Sequence, residues 1–317
     1  MTETSLIPIG ISSCLLGNEV RYDGSHRWNK LITDTLGRYF QFVPFCPEVA
    51  IGMGVPRPPI QLVQFGEEVR AQGVRDKSMD VTDKLRTYGK ESVRHMENLR
   101  GYLFKKGSPS CGVERVKLYH QNGNPVSNSV GLFAREIMLA KPEMPVEEEG
   151  RLMDPVLREN FIERVFIYDR WLLMVEAGIT PQSLVEFHTV HKFNLLAHDE
   201  PVYRELGRLV SDAGKGDIEE RAASYIQSVM QALKKPATTK THTNVLMHIM
   251  GFIKEHLDAQ DKQELLVVLD DYRLGTVPLI VPVTLLKHYL RRYPNEYIER
   301  QYYLNPHPKE LMLRNSI

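Results

Sequence analysis

The sequence is poor in cysteine, with three thiols in 317 residues, at positions 14, 46 and 111. A small odd number argues against a disulfide-stapled scaffold and for free thiols or ligands. Long apolar runs are missing too: nothing approaches the ~20 consecutive residues of a membrane helix. Net charge is also absent, because forty basic and forty acidic residues cancel. No global field therefore draws the chain to nucleic acid, although a local basic patch stays open. The opening residues Met1-Thr2-Glu3-Thr4-Ser5 carry neither a basic n-region nor an apolar h-region. The expected location is the cytoplasm.

The length suggests roughly two domains of about 150 residues. The first ~140 residues alternate strand-like and helix-like stretches, as expected of a parallel, Rossmann-like sheet with helices on its faces. Strands are expected at 7–13, 40–45, 60–65, 101–105 and 116–119, with a hairpin-like excursion over 66–73. Helices are expected at 28–39, 80–99 and 132–139. Residues 52–59 hold two glycines and three prolines, which no helix interior accepts. Residues 141–150 read as a linker, with Pro142, Pro145 and a run of three glutamates before Gly150. They separate a domain over 1–145 from one over 151–317. Beyond them the pattern is all-α. Asp154-Pro155 and Thr180-Pro181 are start signals, and further amphipathic helices fall at 217–235, 241–257, 260–274 and 278–293.

Each cysteine follows a strand-like run. Cys14 ends Ile7-Pro8-Ile9-Gly10-Ile11-Ser12-Ser13, Cys46 ends Phe40-Gln41-Phe42-Val43-Pro44-Phe45, and Cys111 closes the turn Gly107-Ser108-Pro109-Ser110. Parallel strands deliver their C-terminal ends to one edge, where open α/β sheets bind ligands. Three thiols distant in sequence could meet there, and three soft ligands with an open fourth position suit a reactive metal centre. Spacing alone does not separate this from three buried small hydrophobes. The flanking Pro47 and Gly112 suit sharp turns at strand ends.

Several motifs in one order carry a resemblance. They are Ser13-Cys14-Leu15-Leu16-Gly17, Arg21-Tyr22-Asp23-Gly24, Cys46-Pro47-Glu48, Gly52-Met53-Gly54-Val55-Pro56-Arg57-Pro58-Pro59 and Ser108-Pro109-Ser110-Cys111-Gly112. Together they make the first half similar to the thiouracil desulfidase family. The second half resembles a different, uncharacterised helical domain through His191-Lys192-Phe193 to Ala197-His198, Thr241 to His248 and Tyr303 to Leu311. The fusion resembles desulfidases that remove sulfur from 4-thiouridine in tRNA.

That resemblance implies a 4Fe-4S cluster on Cys14, Cys46 and Cys111. One iron, lacking a protein ligand, would be free to bind the substrate sulfur and act as a Lewis acid. It implies proton transfer by Glu48 and a catalytic role for Ser108. The product would carry oxygen in place of sulfur, hydrosulfide would leave, and no net electron transfer is needed. Ser13, Arg21, Asp23 and Ser110 are further candidates for substrate contact. Ordinary readings stand beside these: a helix-start acid for Glu48, a turn serine for Ser108, and a structural pair for Arg21 and Asp23.

The second half has eight histidines. The spacing of His188, His191 and His198 puts three imidazoles on one face of a continuous helix, as a metal site could. Structural or RNA-contacting roles are the preferred expectation. Candidate RNA contacts are Lys234, Lys235 and Lys240 around a Pro-Ala-Thr-Thr loop, and Lys287, Arg291 and Arg292 beside His288, Tyr289 and Tyr293. Residues 151–317 hold 21 basic and 22 acidic residues, so tRNA as partner follows from the resemblance, with the clusters compatible. The alternatives are desulfidation of free thiouracil or its nucleotides, and a non-catalytic metal- or redox-sensing module.

Overall fold

In the computed structural model, which describes residues 6–311 and 313–315, the chain divides into two compact units, Met1–Met153 and Asp154–Ile317. The strands of the first are β1 (Ile7–Ser12), β2 (Phe40–Phe45), β3 (Ile60–Phe65), β4 (Glu68–Gly73), β5 (Tyr102–Phe104), β6 (Val116–His120), β7 (Pro125–Ser129) and β8 (Val146–Glu148). Its helices are α1 (Pro47–Ala50), α2 (Thr82–Ser92) and α3 (Leu132–Ala140).

One sheet has the order β2-β1-β5-β8 and is parallel throughout. Its central strand β1 is almost continuously buried, as expected when helices and loops cover both faces. The chain leaves β1 for β2 on one side and later returns to β5 on the other. The carboxyl ends of β2, β1 and β5 therefore flank a point where the connections change direction, the usual ligand crevice of an open sheet.

The strands expected at 60–65 and 116–119 lie outside the parallel sheet, in a second, mixed one. Its order is β4-β3-β6-β7, with β3–β4 and β6–β7 antiparallel and β3–β6 parallel. Ile60, Leu62, Ala71, Val116 and Leu118 from this sheet pack with Val81, Leu85 and Leu132. Strand β7 gives no signal in the sequence because Pro125-Val126-Ser127-Asn128-Ser129 is largely exposed and shows no apolar alternation.

Two helix expectations shorten. Residues 28–39 form only a π-helical turn, Leu31–Thr35, and a 3-10 turn, Leu36–Arg38. The expected helix over 80–99 gives α2 and then a 3-10 turn at Val93–Met96.

The expected linker is corrected more sharply. Val146–Glu148 is an edge strand of the parallel sheet, and Glu147, Glu148 and Glu149 are buried. Backbone and cationic donors compensate the burial. Glu148 Oε1 accepts the amides of Val113 and Glu114 at 2.8 and 3.2 Å, and Glu149 Oε2 accepts that of Lys106 at 2.6 Å. Glu149 also pairs with Lys105, and Glu147 with Arg151. The acidic run braces the 105–114 loop.

Among the described residues the second unit is helical: α4 (Pro155–Glu176), α5 (Pro181–Val190), α6 (Lys192–His198), α7 (Glu200–Ser211), α8 (Ile218–Leu233), α9 (Thr239–Ile253), α10 (Ala259–Arg273), α11 (Ile280–Arg292) and α12 (Glu296–Glu299). The caps follow the start signals. Asp154 accepts the Val156 and Leu157 amides, and Thr180 forms a reciprocal box with Ser183. Helices α6 and α7 are not separated by any sequence signal noted above. Phe193, Leu246, Ile249, Leu265, Leu286 and Tyr303 are among the side chains of one core. Among the described residues no helix is long and apolar enough to cross a membrane.

Candidate active site

At the carboxyl edge of the parallel sheet lies a cavity of about 330 Å³. Cys14, Cys46 and Cys111 all line it, with Ser13, Arg21, Glu48 and Ser108. Cys14 sits in a 3-10 turn directly after β1, closed by Gly17. Cys46 follows β2, and Pro47 starts the short helix that carries Glu48 in its first turn. Cys111 arrives by the loop after β5. That loop needs glycine at two close approaches: a Cβ on Gly131 would stand 2.5 Å from the Ser110 carbonyl carbon, and one on Gly112 would stand 2.4 Å from Val116.

All three cysteines are free. Burial pushes the Cys14 thiol up to about 11 and also raises Cys46 and Cys111. Such thiols are protonated and weakly nucleophilic by themselves. They become thiolates when a metal's positive charge replaces the proton. Among the described residues no three His, Cys, Asp or Glu side chains are grouped to cage a single metal ion. A cluster spreads its thiolates over separate irons and does not require that close grouping.

The Glu48 carboxylate is held on both oxygens. Arg57 Nε donates to Oε2 at 2.8 Å and the Ser110 hydroxyl donates to Oε1 at 2.8 Å. Arg57 is itself buried and tied to the carbonyls of Gly54 and Val20 at 3.0 and 2.9 Å. Ser108 Oγ accepts the amides of Ser110 and Cys111, each at 3.2 Å. Its turn role is therefore real, and its own proton remains available to the cavity.

Other candidates separate. Ser13 lines the cavity and its hydroxyl accepts from Asn18 at 2.8 Å. Arg21 also lines it, and its Nη1 is buried without a hydrogen-bond partner. Ser110 is fully buried behind Glu48 rather than on the lining. Asp23 is exposed, absent from the lining, and turned back to the Ser25 amide and hydroxyl at 3.1 and 2.6 Å. It is a turn residue, as Asx chemistry favours. Arg57, Arg27, Lys105 and Lys106 also line the cavity, and the sequence does not single them out as site residues. Arg57 stands in the proline-rich motif, but nothing in its nine-residue separation from Glu48 signals their pairing.

The family described as 2-thiouracil desulfurase matches residues 9–149. Residues 9–149 belong to the 2-thiouracil desulfurase family. Residues 192–308 match a second family, described as a protein of unknown function, DUF1722. The chain is 35% identical over 159 residues to the uncharacterized protein YbgA of Escherichia coli (strain K12), covering 50% of this chain and 94% of that one. It is 34% identical over 113 residues to the uncharacterized protein YbbK of Bacillus subtilis (strain 168), covering 32% and 71%. A solved structure of TudS, described as a 4Fe-4S-dependent thiouracil desulfidase, is 30% identical with a TM-score of 0.38, over 47% of this chain and 94% of that chain. The match to the desulfurase family spans all three cysteines, Glu48 and Ser108.

In the second unit the three histidines do not share a face. The helix breaks at His191, between α5 and α6. His188 Nδ1 meets the Tyr225 hydroxyl at 3.2 Å, and His191 Nδ1 meets the Phe187 carbonyl at 2.9 Å. His198 bridges the Lys235 carbonyl at 2.6 Å and Glu163 at 3.3 Å. All three serve the core. Lys234, Lys235 and Lys240 are exposed. Arg292 stands 3.7 Å from Asp261, whereas Lys287 and Arg291 line a separate cavity of about 440 Å³.

Proposed function

We propose that this chain is an iron–sulfur desulfidase that exchanges the sulfur of a thiolated pyrimidine for oxygen, with 4-thiouridine in tRNA as substrate. The carrying observation is that three free thiols and a doubly held carboxylate face one cavity at the carboxyl edge of the parallel sheet.

Cys14, Cys46 and Cys111 are the residues that would hold a 4Fe-4S cluster, the cofactor on which TudS is described as dependent. The cluster would supply an iron without a protein ligand, a Lewis acid with affinity for a thiocarbonyl sulfur. Glu48 moves a proton between the attacking water and the departing sulfur, while Arg57 and Ser110 keep its carboxylate aimed at the cavity. The Ser108 hydroxyl orients the water or the base edge. Arg21 offers its unpartnered Nη1 to a carbonyl or phosphate oxygen. The balance is thiocarbonyl plus water giving carbonyl plus hydrogen sulfide, with no change of oxidation state.

The fusion to a helical unit supports a macromolecular substrate, and a base within folded RNA would have to leave its stack to react. The cavity's size favours a second reading, since about 330 Å³ also suits a free thiouracil or a nucleotide. Anaerobic reconstitution and parallel assay on thiolated tRNA and free thiouracil separate the two. Iron binding with hydrosulfide release from tRNA supports the first reading. Release from the free base alone replaces it with the second, and a folded protein that binds no iron removes the cluster from both.

A further inference from the structure

The helical unit carries a cavity of about 440 Å³ lined by Thr284, Lys287, Leu290, Arg291, Glu299, Leu304, Asn305 and Lys309. Three cations face one acid there. Thr284, Lys287 and Arg291 follow one another by three and four residues along α11, so they share a helix face. Lys309 enters from the C-terminal segment.

Elsewhere on this unit several exposed cations sit beside acids, Arg204 with Glu200, Lys215 with Asp212, Arg273 with Asp270, Arg292 with Asp261 and Arg300 with Glu186, while Lys234, Lys235 and Lys240 stand exposed on or beside one loop and line no cavity described above. The cavity differs. Among the described residues neither Arg291 nor Lys309 has a carboxylate within ion-pair distance. Lys287 donates to Asn305 Oδ1 at 2.6 Å and the Leu304 carbonyl at 3.4 Å, both neutral acceptors. Burial lowers Lys287, and the charges of Arg314, Lys309 and Arg291 lower it further. The unit as a whole is charge-balanced, so this cluster is a local excess whose mutual repulsion an anion relieves.

We propose that this cavity seats the phosphodiester backbone of the RNA substrate, Lys287, Arg291 and Lys309 neutralising phosphate and the Asn305 amide donating to its oxygens. This rests on the RNA reading of the desulfidase and names where the backbone docks. A shallow site built from long cationic side chains suits a continuous polyanion and adds affinity without reading sequence. Lys234, Lys235, Lys240 and Arg292 fall outside it.

The test uses the full reconstituted chain. Binding to thiolated and unthiolated tRNA is measured across a salt series for wild type, Arg291→Gln/Lys309→Gln, and the triple variant adding Lys287→Gln. Arg273→Gln serves as the control, and turnover of free 4-thiouridine is recorded throughout. The double variant avoids the fold contacts of Lys287. It is expected to bind both RNAs ~10-fold more weakly, with a log–log salt slope lower by about one to two. Turnover of the free nucleoside stays at wild-type level. Unchanged RNA affinity and slope in both variants would overturn the proposal, as would an equal loss in the Arg273→Gln control. If wild type holds neither RNA, the RNA reading itself fails, which the wild-type salt series reveals independently of the variants.

Discussion

Arg57 and Glu48 form an ion pair at 2.8 Å in which the arginine is almost fully buried and the carboxylate edges the cavity. Nine residues separate them in sequence, across a loop containing the cis Val55–Pro56 bond. The pair gives the cavity's one acidic group a defined direction, because Ser110 takes the second oxygen.

Glu48→Gln keeps the size of the side chain, and its amide oxygen can still accept from Arg57 while its NH2 donates to the Ser110 oxygen, but the charge and the proton chemistry are removed. Desulfidation is expected to fall by ~10²–10⁴-fold while iron content and colour persist. Activity within a few-fold of wild type would take Glu48 out of the mechanism. Arg57→Ala leaves the carboxylate without its buried partner and is expected to cost about 3 kcal/mol in denaturant unfolding. A loss near zero would show that the pair is not structural.

Cys14→Ser, Cys46→Ser and Cys111→Ser are each expected to abolish retention of iron and sulfide, since a hydroxyl is a poor substitute for a soft thiolate. Analysis of the anaerobically purified variants checks this. A variant with full iron content would free that cysteine from the ligand set.

Glu148→Ala tests the bracing role of the 146–149 segment. The Val113 and Glu114 amides would lose their shared acceptor. The expected cost is about 1–3 kcal/mol, together with faster loss of iron from the reconstituted protein. Wild-type stability and iron retention would show that the loop holds itself.

The Tyr102 hydroxyl is buried and has no hydrogen-bond partner. Tyr102→Phe is expected to be neutral or stabilising, by up to about 1 kcal/mol. A marked drop in the unfolding midpoint would reveal a partner, such as an internal water.

The helical unit should weaken in acid. Burial lowers His191 and His242 to about 3 and His188 to about 4. Unfolded, each titrates near ~6.5, so the unfolded chain binds more protons below that pH. Stability falls as pH drops from about 6.5, by up to ~1.4 kcal/mol per pH unit for each histidine. His198 runs oppositely. Burial alone would lower it, but contact with Glu163 raises it, so its contribution is complete below ~6.5 and is lost as pH rises through the folded value. For Glu163, burial acts upward and the contact with His198 more than reverses it. Its share is present above ~4.3 and is lost on further acidification. Three histidines against one predict a falling urea midpoint from about pH 7 to pH 5, shallower in His242→Gln. A midpoint that rises over this range contradicts the assignment.

Motif content and strand ends were legible because they are local: apolar runs, Pro47 after Cys46, and the caps Asp154 and Thr180 act within a few residues. Other features depended on distant partners. The Glu147–Glu149 run looks like solvated linker until the amides of Lys106, Val113 and Glu114 are found waiting for it. The three histidines share a face only on an unbroken helix, and His191 ends one helix and precedes the next. Strand β7 is held by pairing with β6, not by its own pattern.

The sequence by itself determined that the chain has three thiols, each following a strand-like run and two of them flanked by Pro47 and Gly112, and no fourth to complete a set. Tertiary structure alone decided that strand order β2-β1-β5 brings them to one cavity and that Arg57 and Ser110 aim Glu48 there. The physical reason is that periodicity and capping encode local backbone, whereas a site forms from side chains whose meeting depends on which strands pair.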